Sequence, residues 1–259
     1  MIFFTAGGAI YEAFAAQYPC RRISIRGEGP EQLVSQLTEG DVLVHNAAIL
    51  APPDLNIAVK DNFILTKDLV DALLRSGKKT PLIFISSMSM LGEGGVYKAP
   101  AEMNPYSFSK YIAELYCLKS GLPVSCVRFS TLFYKNAARD GLSKMIADAV
   151  ATGHIQLING GKDTRDFIPV TIAVGYLYKI AHAGHNGSIY NIASGSAVSF
   201  AEAAAMVKEW IPGIVISSVE RTFIPQFILS EFGKEDIGRL GILPLSLQDH
   251  IRDYIGELK

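Results

Sequence analysis

Short apolar runs alternate along the chain with longer stretches whose apolar positions recur at helical spacing. IFFT at 2–5 predicts a strand, Ile10 to Tyr18 a helix, ISI at 23–25 a second strand, Glu31 to Leu37 a helix, and DVLVH at 41–45 a third strand. From Ile57 to Leu74, the positions Ile57, Asp61, Ile64, Leu65, Asp68, Leu69, Ala72 and Leu73 follow the helical repeat. LIFIS at 82–86 and PVSCVRF at 123–129 read as strands on either side of a helix from Pro105 to Lys119. Short apolar strands separated by helices are the pattern of parallel βαβ units, with both faces of the sheet covered. The predicted fold class is α/β, a doubly wound parallel sheet.

After Phe129 the pattern loosens. Helices are predicted at 145–152, 170–183, 200–210 and 245–258, and strands at 154–158, 188–193 and 214–219. No repeat, low-complexity tract or Pro/Gly/Ser linker divides the chain, so two interleaved lobes are expected. One comprises 1–133 plus 163–194, and the other 134–162 plus 195–259. The short segments flanking the second strand imply a trimmed first half.

Composition narrows the possibilities. The 259 residues suffice for a sizeable core, and a net charge of -1 gives no electrostatic footprint for nucleic acid or an anionic membrane. The least polar long stretch, Phe167 to Tyr178, is shorter than the roughly 18 apolar residues a spanning helix needs. MIFFTAGGAIYEAF lacks a basic n-region and reads as a first strand and turn, not a signal peptide. Cys20, Cys117 and Cys126 have no metal-ligand spacing, and free thiols fit a reducing, cytoplasmic setting. His182-Ala-Gly-His185 reads as an exposed loop, and no metal site is expected. A mean hydropathy of +0.24 fits an apolar surface buried against a second subunit.

Candidate chemistry centres on Tyr106-Ser-Phe-Ser-Lys110, which places a phenol and an ammonium on one face of a helix. An unperturbed tyrosine titrates at about 10, and a lysine charge nearby favours the phenolate. Such a tyrosine can move a proton to or from a hydroxyl while hydride moves at the same carbon. Ser87, in LIFISSMSMLGEGG, ends an apolar strand where ligands bind open parallel sheets, and its hydroxyl can hold the reacting oxygen.

Further segments fall in an ordered series: DVLVHNAAI, Asn62 and Thr66 in KDNFILTKDL, FISSMSMLG, NPYSFSKYIAE, VRFSTLFY, GGKDTRDFIPV, SIYNIASG and KEDIGRLGILPLSLQDHI. In order and spacing this series resembles the extended short-chain dehydrogenase/reductases, the NAD-dependent epimerase/dehydratase family that modifies nucleotide-linked sugars. The resemblance implies a Rossmann-type dinucleotide-binding domain over 1–133 plus 163–194 and a small C-terminal α/β substrate lobe over 134–162 plus 195–259. It implies Ser87, Tyr106 and Lys110 as catalytic residues. It assigns cofactor contacts to Gly7, Gly8, Ala9 and Ile10 in the first turn, to Arg26, to Asn46, Ala47 and Ala48, and to Asn62, Tyr106 and Lys110. Substrate contacts would come from Ser87, Met88, Ser89, Thr131 and Arg165, with Arg165 gripping the diphosphate.

Departures from the family pattern carry information. TAGGAIYE stands where T-G-G-x-G-x-x-G is usual, so Ala6 and Ala9 replace two glycines and Glu12 the last. These exchanges bear on cofactor affinity rather than fold. Leu91 replaces the usual tyrosine of the strand-four motif, and Pro169, Thr171 and Ala173 occupy the stretch that usually carries the tandem Asp. Arg26 follows the second strand where an acid would bind ribose hydroxyls, which favours NADP(H) slightly over NAD(H). Met88-Ser89 replaces the Asp-Glu pair of dehydratases, and no cysteine adjoins Ser87 for 3,5-epimerisation. What remains is 4-keto reduction, oxidation or 4-epimerisation of a nucleotide-linked sugar. Arg26 and the trimmed first half favour reduction with Tyr106 as proton donor; a 4-epimerase is the alternative. The eroded turn would also suit an inactive scaffold or regulatory protein, against which the retention of Ser87, Tyr106, Lys110 and Asn62 argues.

In relatives the helices matching 57–74 and 105–119 pair across a two-fold axis, so a homodimer is expected. Analytical ultracentrifugation at micromolar concentration should give twice the chain mass; a monomer there would refute the assembly.

Overall fold

The computed structural model describes residues 1–222, 233–241 and 246–259; residues 242–245 of the C-terminal motif lie outside the described residues. In chain order the strands are β1 (Ile2–Phe4), β2 (Arg21–Arg22), β3 (Val42–His45), β4 (Leu82–Ser87), β5 (Val124–Phe129), β6 (Thr131–Phe133), β7 (His154–Ile158), β8 (Thr164–Pro169), β9 (Ser188–Ile192), β10 (Ala197–Ser199) and β11 (Val215–Val219). Close contacts group the chain into two units. One is Met1–Gly92, Val96–Phe129 and Val174–Ile192; the other is Glu93–Gly95, Ser130–Ala173 and Ala193–Lys259.

The first unit holds a six-stranded parallel sheet in the order β2-β1-β3-β4-β5-β9. Its central strand β5 is buried at all six positions, as expected of a parallel strand covered on both faces. Leu43, Leu82, Phe84 and Cys126 from the sheet pack with Leu69 and Leu73 of the helix Leu65–Ser76. That helix stops at Gly77, whose φ of 67° is the left-handed conformation a helix end favours in glycine. From β1 the chain passes to β2 on one side and later returns to β3 on the other. The loops after β1 and β3 therefore diverge, which opens a crevice at their C-terminal ends.

Two local expectations are corrected. ISI at 23–25 is not the second strand: the ladder covers Arg21–Arg22, and Ser24 caps a short helix, Ile25–Glu28, by accepting from Gly27 N. The predicted helix 57–74 is also not uniform. It runs as Leu55–Ala58, a π-helical stretch Val59–Ile64, and Leu65–Ser76. A π turn accommodates one extra residue, and Asn62, only 1% exposed, lies within it.

In the second unit β8 lies between β10, antiparallel, and β6, parallel, while β7 pairs in parallel with β11. Phe133, Ile146, Phe167, Val207, Ile251 and Tyr254 form its core. Three of its strands, β6, β8 and β10, are absent from the hydrophobic pattern. β8 instead buries the charged Asp166, whose carboxylate accepts from Ser130 Oγ, from Ser194 N and Oγ, and from Gly195 N and Ser196 N.

His45, at the end of β3, is fully buried between Thr5 Oγ1, 2.9 Å from Nδ1, and Thr66 Oγ1, 2.9 Å from Nε2. Burial, with Lys110 and Arg26 adding repulsion, pushes the imidazole down to about 3. An unfolded histidine takes its proton near pH 6.5, so between about 6.5 and 3 the unfolded state binds more protons and acid favours it. Urea unfolding from pH 7 to pH 5 should show stability falling by up to about 1.4 kcal/mol per pH unit from this group. His45→Gln should flatten that fall.

Candidate active site

The site is assembled where β4 ends and the helix Pro105–Lys119 begins. Asn104 caps that helix, its Oδ1 accepting from Ser107 N at 2.8 Å, and Pro105 occupies the first turn, where its missing N–H costs nothing. The cap fixes the start of the helix and hence the direction of Tyr106. Ser87 is the last residue of β4; its Oγ accepts from Ser89 N at 3.1 Å and lies 2.9 Å from Ser89 Oγ. Tyr106 occupies the first turn of the helix Pro105–Lys119.

Burial pushes the Tyr106 phenol up to about 12, and the nearby Ser87 hydroxyl opposes that only in part. The expected lowering by Lys110 is not what sets this group; desolvation is. Lys110 lies one turn further along the helix, 2% exposed, with Nζ 4.1 Å from the centroid of the Phe84 ring. Burial brings its ammonium down to about 8, with Cys117 and Glu114 acting in the opposite sense. Among the described residues no hydrogen-bond acceptor or carboxylate pairs with Nζ.

The turn after β1 is held by Asn46. Its Oδ1 accepts from Ala6 N at 2.9 Å, and its Nδ2 donates to the carbonyls of Ala6 and Gly7. Gly8 adopts φ 93°, and Ala9 and Ile10 open the helix Ala9–Ala15. A Cβ on Gly7 would stand 2.8 Å from Arg22 Nη1, so the guanidinium of Arg22 lies directly over the glycine. Ala47 is buried, Ala48 half-buried, and Glu12 exposed. The Gly7-Gly8 turn beside a cation, together with a buried ammonium lacking a protein acceptor among the described residues, fits a dinucleotide with its phosphates and ribose hydroxyls.

Other sequence-derived candidates are placed differently. Arg26 stands on the short helix Ile25–Glu28, and its guanidinium pairs with the Asp61 carboxylate and the Asp61 carbonyl. It is therefore an engaged cation, and Arg22 is the one over the glycine turn. Asn62 has every polar atom occupied: Oδ1 accepts from Ile49 N, and Nδ2 donates to Ile49 O and Ser109 Oγ. It clamps the Tyr106 helix to the loop after β3. Met88 is packed inside at 1% exposure, whereas Ser89 is half-buried with its hydroxyl among Ser87 and Ser107. In the second unit Thr131 opens β6 opposite Phe167, and Arg165 pairs with Asp163 at 3.0 Å.

Sequence reasoning passed over Ser107 and the cluster of Tyr97, Glu114 and Arg128. Glu114 and Arg128 form a buried ion pair 2.5 Å apart, and Tyr97 Oη donates to Glu114 Oε1 at 2.8 Å. The cluster ties the segment after β4 to the Tyr106 helix and β5. Only the Y-x-x-S-K-x-x-x-E spacing hinted at Glu114.

A model of the NAD dependent epimerase/dehydratase family matches residues 28–193. The UDP-N-acetyl-alpha-D-glucosaminuronate decarboxylase of Bacillus cytotoxicus is 29% identical over 78% of this chain and 68% of its own length. Two solved structures share the fold: MoeE5 in complex with UDP-glucose and NAD (20% identity, TM-score 0.81, covering 98% of this chain and 97% of that one), and RMD from Pseudomonas aeruginosa complexed with NADPH (18% identity, TM-score 0.79, covering 99% and 98%).

Lys110 supplies a direct test of the electrostatics. Below about pH 8 both folded and unfolded chains carry its proton, and the folded state bears the full penalty of burying an unpaired ammonium. Lys110→Met should therefore raise the unfolding free energy at pH 7 by about 1–3 kcal/mol. Urea titration should show that gain shrinking as the pH rises from 8 towards 10.5, where the lysine becomes neutral in both states.

Proposed function

The chain belongs to the NAD dependent epimerase/dehydratase family, and we propose that it is an NAD(P)-dependent oxidoreductase that reduces a 4-keto group on a nucleotide-linked sugar. The observation that carries this proposal is the placement of three groups: Tyr106 in the first turn of its helix, the buried Lys110 one turn further on, and Ser87 at the end of β4. The phenol is protonated at neutral pH. A poised acid, rather than a base, is what ketone reduction requires.

The residues lining the turn, Gly7 to Ile10 with Asn46 to Ala48, would hold the dinucleotide, and Lys110 would give its buried donor to it. When bound, that cofactor supplies the hydride. The Ser87 hydroxyl holds the substrate's carbonyl oxygen, and Tyr106 gives its proton to that oxygen as it becomes an alkoxide. The fixed Ser87 donor stabilises the developing charge in a partly dry site, where hydrogen bonds act strongly. Arg165 and Thr131, on β8 and β6, are assigned to the nucleotide part of the substrate, Arg165 by exchanging Asp163 for a phosphate. The names of the relatives support a nucleotide-sugar substrate: one structure holds UDP-glucose, and one relative acts on a UDP-linked sugar acid. NADP(H) is proposed over NAD(H), with Arg22 in place of Arg26 as the cation beside the turn.

Calorimetric titration of the purified protein with NADPH, NADH and NAD⁺ separates the alternatives. The proposal expects preferential NADPH binding. Tight NAD⁺ binding would favour the 4-epimerase, and no binding of any of the three would leave a scaffold. Tyr106→Phe should keep NADPH affinity within a factor of about two while lowering keto-sugar reduction by about 10²–10⁴-fold. Full activity in that variant would remove Tyr106 from the chemistry.

A further inference from the structure

Arg26 and Asp61 join two segments that the sheet keeps apart. In the order β2-β1-β3, β1 lies in the middle, so the segment leaving β2 and the loop and helix following β3 stand on opposite sides of its end. Arg26 belongs to the first of these. Ile25 N donates to Thr5 O at 3.0 Å, which fastens the short helix Ile25–Glu28 to the residue after β1. Asp61 belongs to the second. It lies in the π-helical stretch Val59–Ile64, next to Asn62, whose carboxamide holds Ile49 in the loop after β3. The Arg26 guanidinium reaches across, donating from Nη1 to the Asp61 carboxylate and from Nη2 to the Asp61 carbonyl at 3.3 Å. The pair therefore spans the crevice at the end of β1, where ligands enter an open parallel sheet.

We propose that Asp61 is a cofactor-selectivity residue: it occupies Arg26 as an internal anion, and a ribose 2′-phosphate gains that guanidinium only by displacing it. The inference rests on the proposed binding of a nicotinamide dinucleotide at the Gly7-Gly8 turn. The guanidinium fork fits a carboxylate and a phosphate alike, so the two anions compete for one partner. Exchange is open to a ligand because the Arg26 and Asp61 side chains are 42% and 23% exposed, and a pair in contact with water contributes little. A dinucleotide without the 2′-phosphate offers Arg26 nothing that Asp61 does not already give, and it binds with the pair closed. A phosphorylated one meets Arg22 over Gly7 first. It then gains Arg26 at the cost of the pair, and it carries its own charge beside the displaced carboxylate. The Asp61 charge thus narrows the margin by which NADP(H) is preferred and leaves NAD(H) untouched.

Calorimetric titration of Asp61→Asn with NADPH and with NADH tests this. The variant keeps a side chain of the same shape and the carbonyl that accepts from Arg26 Nη2. NADPH affinity should rise by about threefold to tenfold, the effect of one carboxylate charge in a water-exposed setting, while NADH affinity stays within a factor of about two. The unchanged NADH affinity also reports an intact site. Arg26→Gln should weaken NADPH alone, and adding Asp61→Asn to it should change neither affinity, because Asp61 acts through Arg26. An unchanged ratio of NADPH to NADH affinity in Asp61→Asn would overturn the inference. Equal tightening of both cofactors would do the same, since Asp61 would then only obstruct the crevice. So would an Asp61→Asn effect that persists in the Arg26→Gln background. A wild type that binds neither dinucleotide would overturn the inference together with the proposed function. A selectivity that shifts as stated, in a protein that leaves a UDP-4-keto-hexose unreduced, would uphold the inference and count against the reductase alone.

Discussion

Lys110 keeps an ammonium in the interior of the sheet unit, 2% exposed, against the face of Phe84 and without a protein acceptor among the described residues. A buried charge of this kind is tolerated only where the surrounding fold is stable enough to hold it. The parallel sheet provides that, with β5 buried along its whole length and the helix Leu65–Ser76 packed beneath. The surrounding groups are arranged to suit it. His45 is neutral, driven so by its own burial and by the same ammonium. Glu114 favours the Lys110 charge at a distance while committing its carboxylate to Arg128. The site is thus destabilising on its own and is held by the core around it, as is common where function demands an unpaired group.

The position of Tyr106 follows from the same economy of contacts. Asn104 and Pro105 define where its helix begins, so the phenol stands near Ser87 at the end of β4. Asn62, in its π turn, reaches Ser109 on that helix and Ile49 in the loop after β3, which locks the helix to the edge of the crevice. Burial then sets the phenol's protonation and overrides the lysine that sequence alone places beside it.

Much of this was legible in the sequence because it is local. The helix Pro105–Lys119 has the predicted bounds, since an Asn-Pro start marks its first turn. Ser87 falls at a strand end because apolar residues run up to it. What could not be seen depends on distant partners. Arg26 reads as a free cation until Asp61 is found beside it, and the strand propensity of ISI yields to the Ser24 cap. Asp166 gives no sign in the sequence that it gathers the 194–196 turn around a buried carboxylate, and so β8 escapes a search for apolar runs. Ser107 and Ser89 are ordinary in sequence; only the approach of the helix to the end of β4 joins them.

The central claim is that this site reduces a ketone with hydride from its dinucleotide and a proton from Tyr106. Incubation with NADPH deuterated at the transferred position and a UDP-4-keto-hexose, followed by mass spectrometry and NMR of the sugar, tests it most directly. The account predicts one deuterium per product, carried at C4, with stoichiometric NADP⁺. Product that forms without deuterium, or loss of carbon dioxide from a UDP-linked uronic acid with no net cofactor oxidation, would contradict it.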